Sequence, residues 1–249
     1  MGKLFGRTIS QKTLSRVEVS AMHSLMTRYY DNVDEAIFQK DLMEKDQVIL
    51  LEDNQTGQLK GFSTFMSFDV SVDCQSVRAI FSGDTIVERE YWGDFGLLRS
   101  FCRYLNHVAN TSNIPAYWFL ICKGYKTYRY LPLNFNQFYP RYDMATPQYE
   151  QSILDALAFH KYPSEYDAQK GIIGFSSPSE CLKEGVAEIT DARLSNPHVK
   201  FFLERNPNHQ SGDELVCVAR LSHGNFTKAF YRSALHKEDR HEKNCPDTG

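Results

Sequence analysis

Two carboxylates stand in one predicted strand of the sequence. Asp84 and Glu88 lie in the run over residues 77–88, VRAIFSGDTIVE, whose Val, Ile and Phe residues are typical of a β-strand. Side chains alternate between the two faces of a strand, so residues four apart face the same side. A carboxylate there can accept a proton. The structural alternatives are a hydrogen-bonded Asp84 within the strand and a solvated Glu88 at its end.

A glycine-containing turn follows that strand. Gly93 and Gly96 stand at the start of a predicted helix, which begins near Phe95. The first N–H groups of a helix have no partner within the helix and lie at the positive end of its dipole, so they bind phosphate well. Asp94 would repel a phosphate unless it points outward or caps the helix. The alternative is a turn that only joins strand to helix.

The sequence predicts helices and strands on both sides of these residues. Apolar spacing of three and four predicts an amphipathic helix over 13–30, with a second helix around 33–44. Two apolar runs around the turn formers of residues 53–57 predict a β-hairpin. A helical face over 95–108 follows the strand at 77–88. AYWFLIC at 116–122 is so apolar that it indicates a strand buried on both faces.

This order resembles the core of the GNAT (Gcn5-related N-acetyltransferase) superfamily. Three local matches support the resemblance: Gly61-Phe62 in the second hairpin strand, VEREYWG over 87–93, and the Tyr-x-x-Leu step that begins at Tyr128. The resemblance covers residues 13–142, the predicted acyltransferase core. It implies an α/β (α+β) fold with a mixed, mostly antiparallel central sheet flanked by helices.

The resemblance also implies an activity. It is that of an N-acyltransferase, which moves an acyl group from a pantetheine thioester, either acyl-CoA or an acyl-carrier protein, to an amine. Asp84 or Glu88 would be the base and Tyr128 the acid, although a Tyr in so aromatic a stretch is commonly a packing residue. The donor is a co-substrate, with no tightly bound cofactor. Its binding residues would be Val87, Arg89, Trp92, Gly93, Phe95, Gly96 and Leu97.

The donor loop departs from the family pattern, Gln/Arg-x-x-Gly-x-Gly/Ala. Counted from Arg89, Trp92 falls where the first glycine belongs. Two interpretations stay open: an enzyme whose donor is coenzyme A or a carrier protein, and a noncatalytic GNAT-like module that binds a partner or carrier protein. An intact phosphate cradle favours the enzyme, and Asp94 pointing into the donor channel favours the module.

Composition excludes several other classes. The net charge of -3 gives no signal for nucleic acid. Six cysteines without a C-x-x-C pair and eight histidines without H-E-x-x-H predict no metal site, and Cys122 is expected to be a buried, inert thiol. The chain lacks an apolar run of about 18 residues and a signal-peptide core, so we expect a cytoplasmic protein without a membrane span.

The last hundred residues show weaker patterns. A helix over 149–160, a short strand at 171–175 and a clear strand at 213–221 predict a C-terminal α/β extension over 143–236, packed on the core. Such an extension can complete the sheet, cover the acyl channel or shape an acceptor pocket. The charged residues 237–249 are expected to form a disordered tail.

Overall fold

A computed structural model describes residues 3–174, 181–182 and 194–236, and the predicted tail lies outside them. The strands are β1 (Leu4–Ser10), β2 (Tyr30–Asp31), β3 (Gln47–Asp53), β4 (Leu59–Val72), β5 (Gln75–Val87), β6 (Ala116–Cys122), β7 (Tyr166–Asp167), β8 (Ile172–Ile173), β9 (Cys181–Leu182) and β10 (Glu214–Arg220). The helices are α1 (Arg16–Tyr29), α2 (Glu35–Met43), α3 (Gly96–Thr111), α4 (Tyr125–Tyr128), α5 (Tyr130–Asn134), α6 (Gln148–Lys161), α7 (Pro197–Arg205) and α8 (Lys228–Ala234).

One sheet organises the described chain. Its strand order is β1-β3-β4-β5-β6-β10-β8-β7, and neighbouring strands are antiparallel except β5 and β6, which are parallel. The predicted fold class, a mixed and mostly antiparallel sheet flanked by helices, is confirmed. The predicted hairpin is β3 and β4, and the run AYWFLIC is β6, buried at the centre of the sheet.

Two strands of the sheet, β1 and β10, come from outside the predicted core of residues 13–142. β1, over LFGRTIS, pairs with β3 and was not predicted, because its polar Arg7, Thr8 and Ser10 leave only a weak apolar alternation. β10 pairs with β6, so residues beyond 143 supply an inner strand of the same sheet. The predicted C-terminal extension therefore completes the sheet in this structure.

Helices cover both faces of the sheet. On one face α3 packs through Phe101, which contacts Trp118 of β6 with ring centroids 4.8 Å apart. On the other face α1 and α2 pack against β3 and β4, and Phe38 of α2 meets Phe62 of β4. α6 lies on that second face against the neighbouring strands, where Phe119 is fully buried. The apolar faces of these helices account for their positions.

The β3–β4 turn is held by a buried carboxylate. Asp53 accepts hydrogen bonds from the backbone N–H groups of Gln55 and Thr56 and, at 2.8 Å, from the hydroxyl of Tyr91. These bonds favour the ionised form and lower the pKa of Asp53 to about 2 from 3.8. The same pair raises the pKa of Tyr91 to about 12. The turn is thereby tied to the segment that follows β5.

Asp53 is expected to make the stability of the fold depend on acid pH. Because its pKa is lower in the folded chain, the stabilisation is complete above pH 3.8 and is lost as the pH falls toward about 2. We expect the free energy of unfolding, measured in urea, to fall less between pH 5 and pH 3 in Asp53→Asn than in the wild-type protein. Asp73→Asn, at an exposed turn, controls for the missing charge. An unchanged pH dependence in Asp53→Asn would show that this carboxylate is not responsible.

Candidate functional site

Two neighbouring parallel strands part in the middle of the sheet. β5 and β6 pair from Arg78 to Phe81 and from Ala116 to Phe119, and the pairing between them ends there within the described residues. Beyond that point β5 continues beside β4 and β6 continues beside β10. We call the opening between 82–87 and 120–122 the strand gap. No ladder pair joins these two segments in the described part of the chain, although side chains donate to the carbonyls of Gly83, Val87 and Cys122. The remaining backbone groups that face the gap can bind a ligand.

A β-bulge coincides with the point where the strands part. Phe65 of β4 pairs with Ser82, but Ser63 pairs with Thr85, so Thr64 stands opposite both Gly83 and Asp84. An extra residue bends a strand and increases its twist, which turns β5 away from β6. Gly83 is required there, because a Cβ atom would lie 2.5 Å from Thr64 Oγ1. The strand is therefore irregular at Asp84, whereas the prediction from the spacing of Asp84 and Glu88 assumed a regular strand.

Asp84 lies in this bulge, on the face that α1, α2 and α6 cover. Alternation beyond the bulge places it on the same face as Ile86, which packs with the cores of α1 and α2. Burial and then nearby carboxylates, Asp84 among them, raise the pKa of Tyr162. Burial raises the pKa of Glu214 on β10, and Asp84 adds to that rise. The predicted base therefore stands among ionisable groups beside the strand gap.

Lysines supply positive charge on the same face. The Nζ atom of Lys45 is buried and lies 2.6 Å from Asp41 Oδ2. Lys161, at the end of α6, holds its ammonium 4.8 Å from the ring centroid of Phe81, and burial lowers its pKa. Lys123 pairs with Glu214 at 3.2 Å. Sequence reasoning missed this cluster, because its charged groups come from four segments, at residues 41–45, 123, 161 and 214, whose proximity no local pattern indicates.

Glu88 has a different environment from Asp84. It lies just beyond β5 and is buried, with one carboxylate oxygen paired to Arg28 of α1 and the other 3.0 Å from Lys60 of β4. The alternative of a solvated Glu88 is therefore wrong, because both oxygens bind cations and only 7% of the residue is exposed. This geometry ties α1 to the sheet, and Asp84 is the stronger candidate for a base.

Tyr128, the predicted acid, is a fully buried residue of α4. Its hydroxyl donates to the carbonyl of Pro140 at 2.9 Å, and its ring packs against Phe138 and Phe202. Burial raises its pKa. This is the arrangement of a packing tyrosine. Tyr128 belongs to the hydrophobic core between the sheet and α3. Tyr162, which contacts Phe81 on the Asp84 face, is a tyrosine that the sequence pattern did not single out.

The start of α3 is bound by the carboxylate of Asp94, two residues before it. Asp94 accepts a hydrogen bond from the N–H of Gly96 at 2.6 Å and, at 3.4 Å, one from the N–H of Leu4 in β1. Gly96 packs so closely that an added Cβ atom would lie 2.7 Å from the Cβ of Leu4. Gly93 adopts a φ of 103° in the turn. Both glycines are therefore explained by the local structure, and the Asp94 carboxylate binds the N–H groups of Gly96 and Leu4.

Cations and aromatic rings lie at the carboxyl ends of the parted strands. Trp92 donates its indole N–H to the carbonyl of Val87 at 2.9 Å. The Arg89 guanidinium carbon is 5.5 Å and the Lys126 Nζ atom 4.5 Å from the indole centroid. Burial and the charge of Arg89 lower the pKa of Lys126. Phe95 is exposed, whereas Leu97 is buried in the core. A bound anion would relieve the repulsion between the two cations.

Cys122 is unsuited to nucleophilic catalysis in this structure. Burial raises the pKa of the Cys122 thiol, whose Sγ atom lies 3.9 Å from that of Cys217. It is an inert core thiol, as predicted. No group of three His, Cys, Asp or Glu side chains that could hold a metal ion occurs in the described ranges. No described helix is long and apolar enough to cross a membrane.

Comparisons with known proteins give partial matches to solved structures, with low TM-scores. No family model and no curated protein matches the chain. A solved structure from Enterococcus faecalis, named as a probable N-acyltransferase, is 16% identical over 53% of this chain and 32% of its own, with a TM-score of 0.40. A GNAT family N-acetyltransferase from Escherichia coli, in complex with CoA, is 16% identical over 49% of this chain and 64% of its own, with a TM-score of 0.36.

A third solved structure is an acyl-CoA N-acyltransferase from Pseudomonas aeruginosa, 15% identical over 47% of this chain and 79% of its own, with a TM-score of 0.34. The chain thus spans about a third of the length of the first of these proteins and 64% of the second.

Proposed function

We propose that this chain is an N-acyltransferase that takes an acyl group from a pantetheine thioester and transfers it to an amine. The observation that supports the proposal is the strand gap, where β5 and β6 part beside a bulge that holds Asp84. In open sheets, ligands bind at the carboxyl ends of strands where neighbours separate. A carboxylate at that point can take part in proton transfer.

The strand gap suits the donor's extended arm. Pantetheine contains two amide groups in a linear chain, and the parted edges of β5 and β6 offer backbone N–H and C=O groups at strand spacing. Hydrogen bonds to an extended ligand at a sheet edge supply affinity, as in peptide recognition by strand addition. The arm would run along the gap, with its phosphate toward Arg89 and Lys126 and its thioester toward the bulge.

Asp84 would act as the base in the transfer. As the amine nitrogen attacks the thioester carbonyl, its proton passes to the carboxylate, and the C–S bond then breaks to release a thiolate. The bulge leaves backbone groups outside the ladder, which can donate to the developing oxyanion. The thiolate would take a proton from a nearby acid. Tyr162 lies on the Asp84 face, where its ring contacts Phe81, whereas Tyr128 lies in the core on the α3 face.

A noncatalytic module is the second candidate, and one observation favours it. The N–H of Gly96 at the start of α3 already donates to the Asp94 carboxylate, so this N–H cannot donate to a phosphate at the same time. In a module of this kind the strand gap would bind a pantetheine arm or a partner without transferring the acyl group. The two candidates differ in a measurable product.

The proposed activity is tested by amide formation. We expect the protein, given acetyl or octanoyl thioesters of pantetheine, phosphopantetheine, coenzyme A and a carrier protein, to acylate at least one member of a panel of primary amines. Mass spectrometry of the amine detects the product, and free thiol appears in equal amount. Heat-denatured protein is the control. Binding of a thioester without any amide above this control would favour the module, and neither binding nor amide would overturn both.

A further inference from the structure

A small cavity lies at the end of the sheet opposite the strand gap. Its volume is about 230 Å³, and it lies where the amino end of β6 meets the carboxyl end of β10. Its other walls are the segment over 136–139, the first turn of α6 and the loop over 222–225. Tyr117 in its lining stands five residues before Cys122 on β6, which at strand spacing places it roughly 16 Å from the gap. The cavity is therefore separate from the proposed transfer site.

A buried tyrosine hydroxyl faces this cavity. Only 1% of Tyr117 is exposed, and its side chain belongs to the core that α6 covers. Its hydroxyl forms no hydrogen bond with any residue that the structure describes. Burial raises its pKa to about 12, so the hydroxyl keeps its proton at neutral pH and is available as a donor. Because a buried polar group without a partner is costly, an acceptor atom of a ligand in the cavity would be bound favourably.

Two opposite charges stand beside that hydroxyl. Arg220 is the direct cross-strand partner of Tyr117, so the two side chains leave the sheet on the same face, with Cβ atoms about 5 Å apart. Glu150 lies in the first turn of α6, the helix that covers this face. After burial, the charge of Arg220 lowers the pKa of Tyr117 and the charge of Glu150 raises it. Both charges therefore lie within electrostatic reach of the hydroxyl.

Neither charge is neutralised by a described side chain. Within the described residues, Arg220 and Glu150 form no ion pair and no side-chain hydrogen bond, either with each other or with a third residue. A ligand with an anionic group for Arg220 and a cationic group for Glu150 would neutralise both. A ligand with a single charge would bury the other charge without a partner, which is costly. The pair of charges therefore selects a zwitterion.

The wall of the cavity is fixed by Asn225. Its side-chain oxygen accepts the N–H of Gln137 at 2.7 Å, and its side-chain nitrogen donates to the carbonyls of Gln137 and Arg220 at 2.8 and 2.9 Å. In the same segment, Tyr139 exchanges two backbone hydrogen bonds with Val218 of β10. These bonds form the cavity without help from a ligand. Its volume equals that of roughly eight water molecules, so it suits a compact metabolite and is too small for coenzyme A.

We propose that this cavity binds a free α-amino acid, whose carboxylate pairs with Arg220 and accepts a hydrogen bond from Tyr117, and whose ammonium group pairs with Glu150. An α-amino acid carries both charges in a molecule of the required size. Its side chain would lie against Val218 and Tyr139, which line the cavity from the core. The site goes beyond the proposed acyl transfer, because it lies at the other end of the sheet and uses none of the same residues.

The experiment compares an amino acid with analogues that lack one of its charges. Titration calorimetry on the full chain uses L-leucine, isocaproate, which lacks the ammonium group, and isoamylamine, which lacks the carboxylate. L-alanine and L-glutamine are titrated in parallel, because the charge pair does not depend on the side chain. We expect at least one amino acid to bind, and each singly charged analogue to bind at least about tenfold more weakly than leucine if leucine binds. Binding of none of the three amino acids, or equal binding of leucine and an analogue, would overturn the proposal.

Variants assign the binding to this cavity. Tyr117→Phe removes only the hydroxyl, so it should weaken binding of the amino acid about tenfold without lowering the midpoint of thermal unfolding. Arg220→Gln and Glu150→Gln should each weaken binding by at least about tenfold. The matched control is Arg16→Gln, at an exposed arginine on α1, which should leave binding unchanged. Asp84→Asn should also leave it unchanged, which separates this site from the proposed transfer site. An equal effect of Arg220→Gln and Arg16→Gln would contradict the proposed site.

Discussion

Replacing Asp84 by Asn is expected to lower the rate of acyl transfer by about 10²- to 10⁴-fold. Asparagine has nearly the same size and retains hydrogen bonding, so the bulge between β4 and β5 should persist. It cannot accept the proton of the attacking amine. The measurement is the initial rate of thiol release with a donor and an amine that the wild-type protein acylates. Donor affinity, measured by calorimetry, should stay within about threefold of wild type.

Two further variants sharpen this test. Asp73→Asn removes one charge at the exposed β4–β5 turn and should leave the rate unchanged. Glu88→Gln should mainly lower stability, because it leaves Arg28 and Lys60 without their shared carboxylate. Full activity in Asp84→Asn combined with a loss in a correctly folded Glu88→Gln would transfer the role of base to Glu88.

Replacing Phe119 by Ala is expected to lower the free energy of unfolding by about 3–5 kcal/mol. Phe119 is fully buried in β6, where its ring contacts Phe81 at 5.4 Å and Phe68 at 6.3 Å. Truncation removes its apolar contacts and leaves a cavity between the sheet and α6. The free energy of unfolding is measured in urea, with circular dichroism and fluorescence followed together.

The matched control for this prediction is Phe159→Ala. Phe159 lies on α6 with 47% of its surface exposed, so its truncation should cost much less, about 1 kcal/mol or below. A loss below about 1 kcal/mol for Phe119→Ala would mean that β6 is not the central packed strand. A large loss would also be expected to shift the edges of the strand gap, since Phe119 is the last β6 residue paired with β5.

The sequence by itself determined most of the sheet and its helices. The apolar runs of β3, β4 and β6 are long and rich in β-branched and aromatic residues, so they identify themselves without any tertiary information. The apolar face of α3 is equally clear. β1 was not predicted because only Leu4 and Gly6 of its seven residues are buried, so the strand has few apolar positions that would identify it. The resemblance to the GNAT core followed from this order of elements.

Only the tertiary structure decided what the candidate residues do. Register between β4 and β5 creates the bulge at Asp84, and register cannot be read from one strand alone. Glu88 is buried by cations from α1 and β4, which lie 60 and 28 residues away in sequence. Asp94 binds the N–H groups of Gly96 and Leu4 because α3 begins two residues later and β1 lies beside it. Local patterns determine elements, whereas the direction of a polar side chain depends on partners that are distant in the chain.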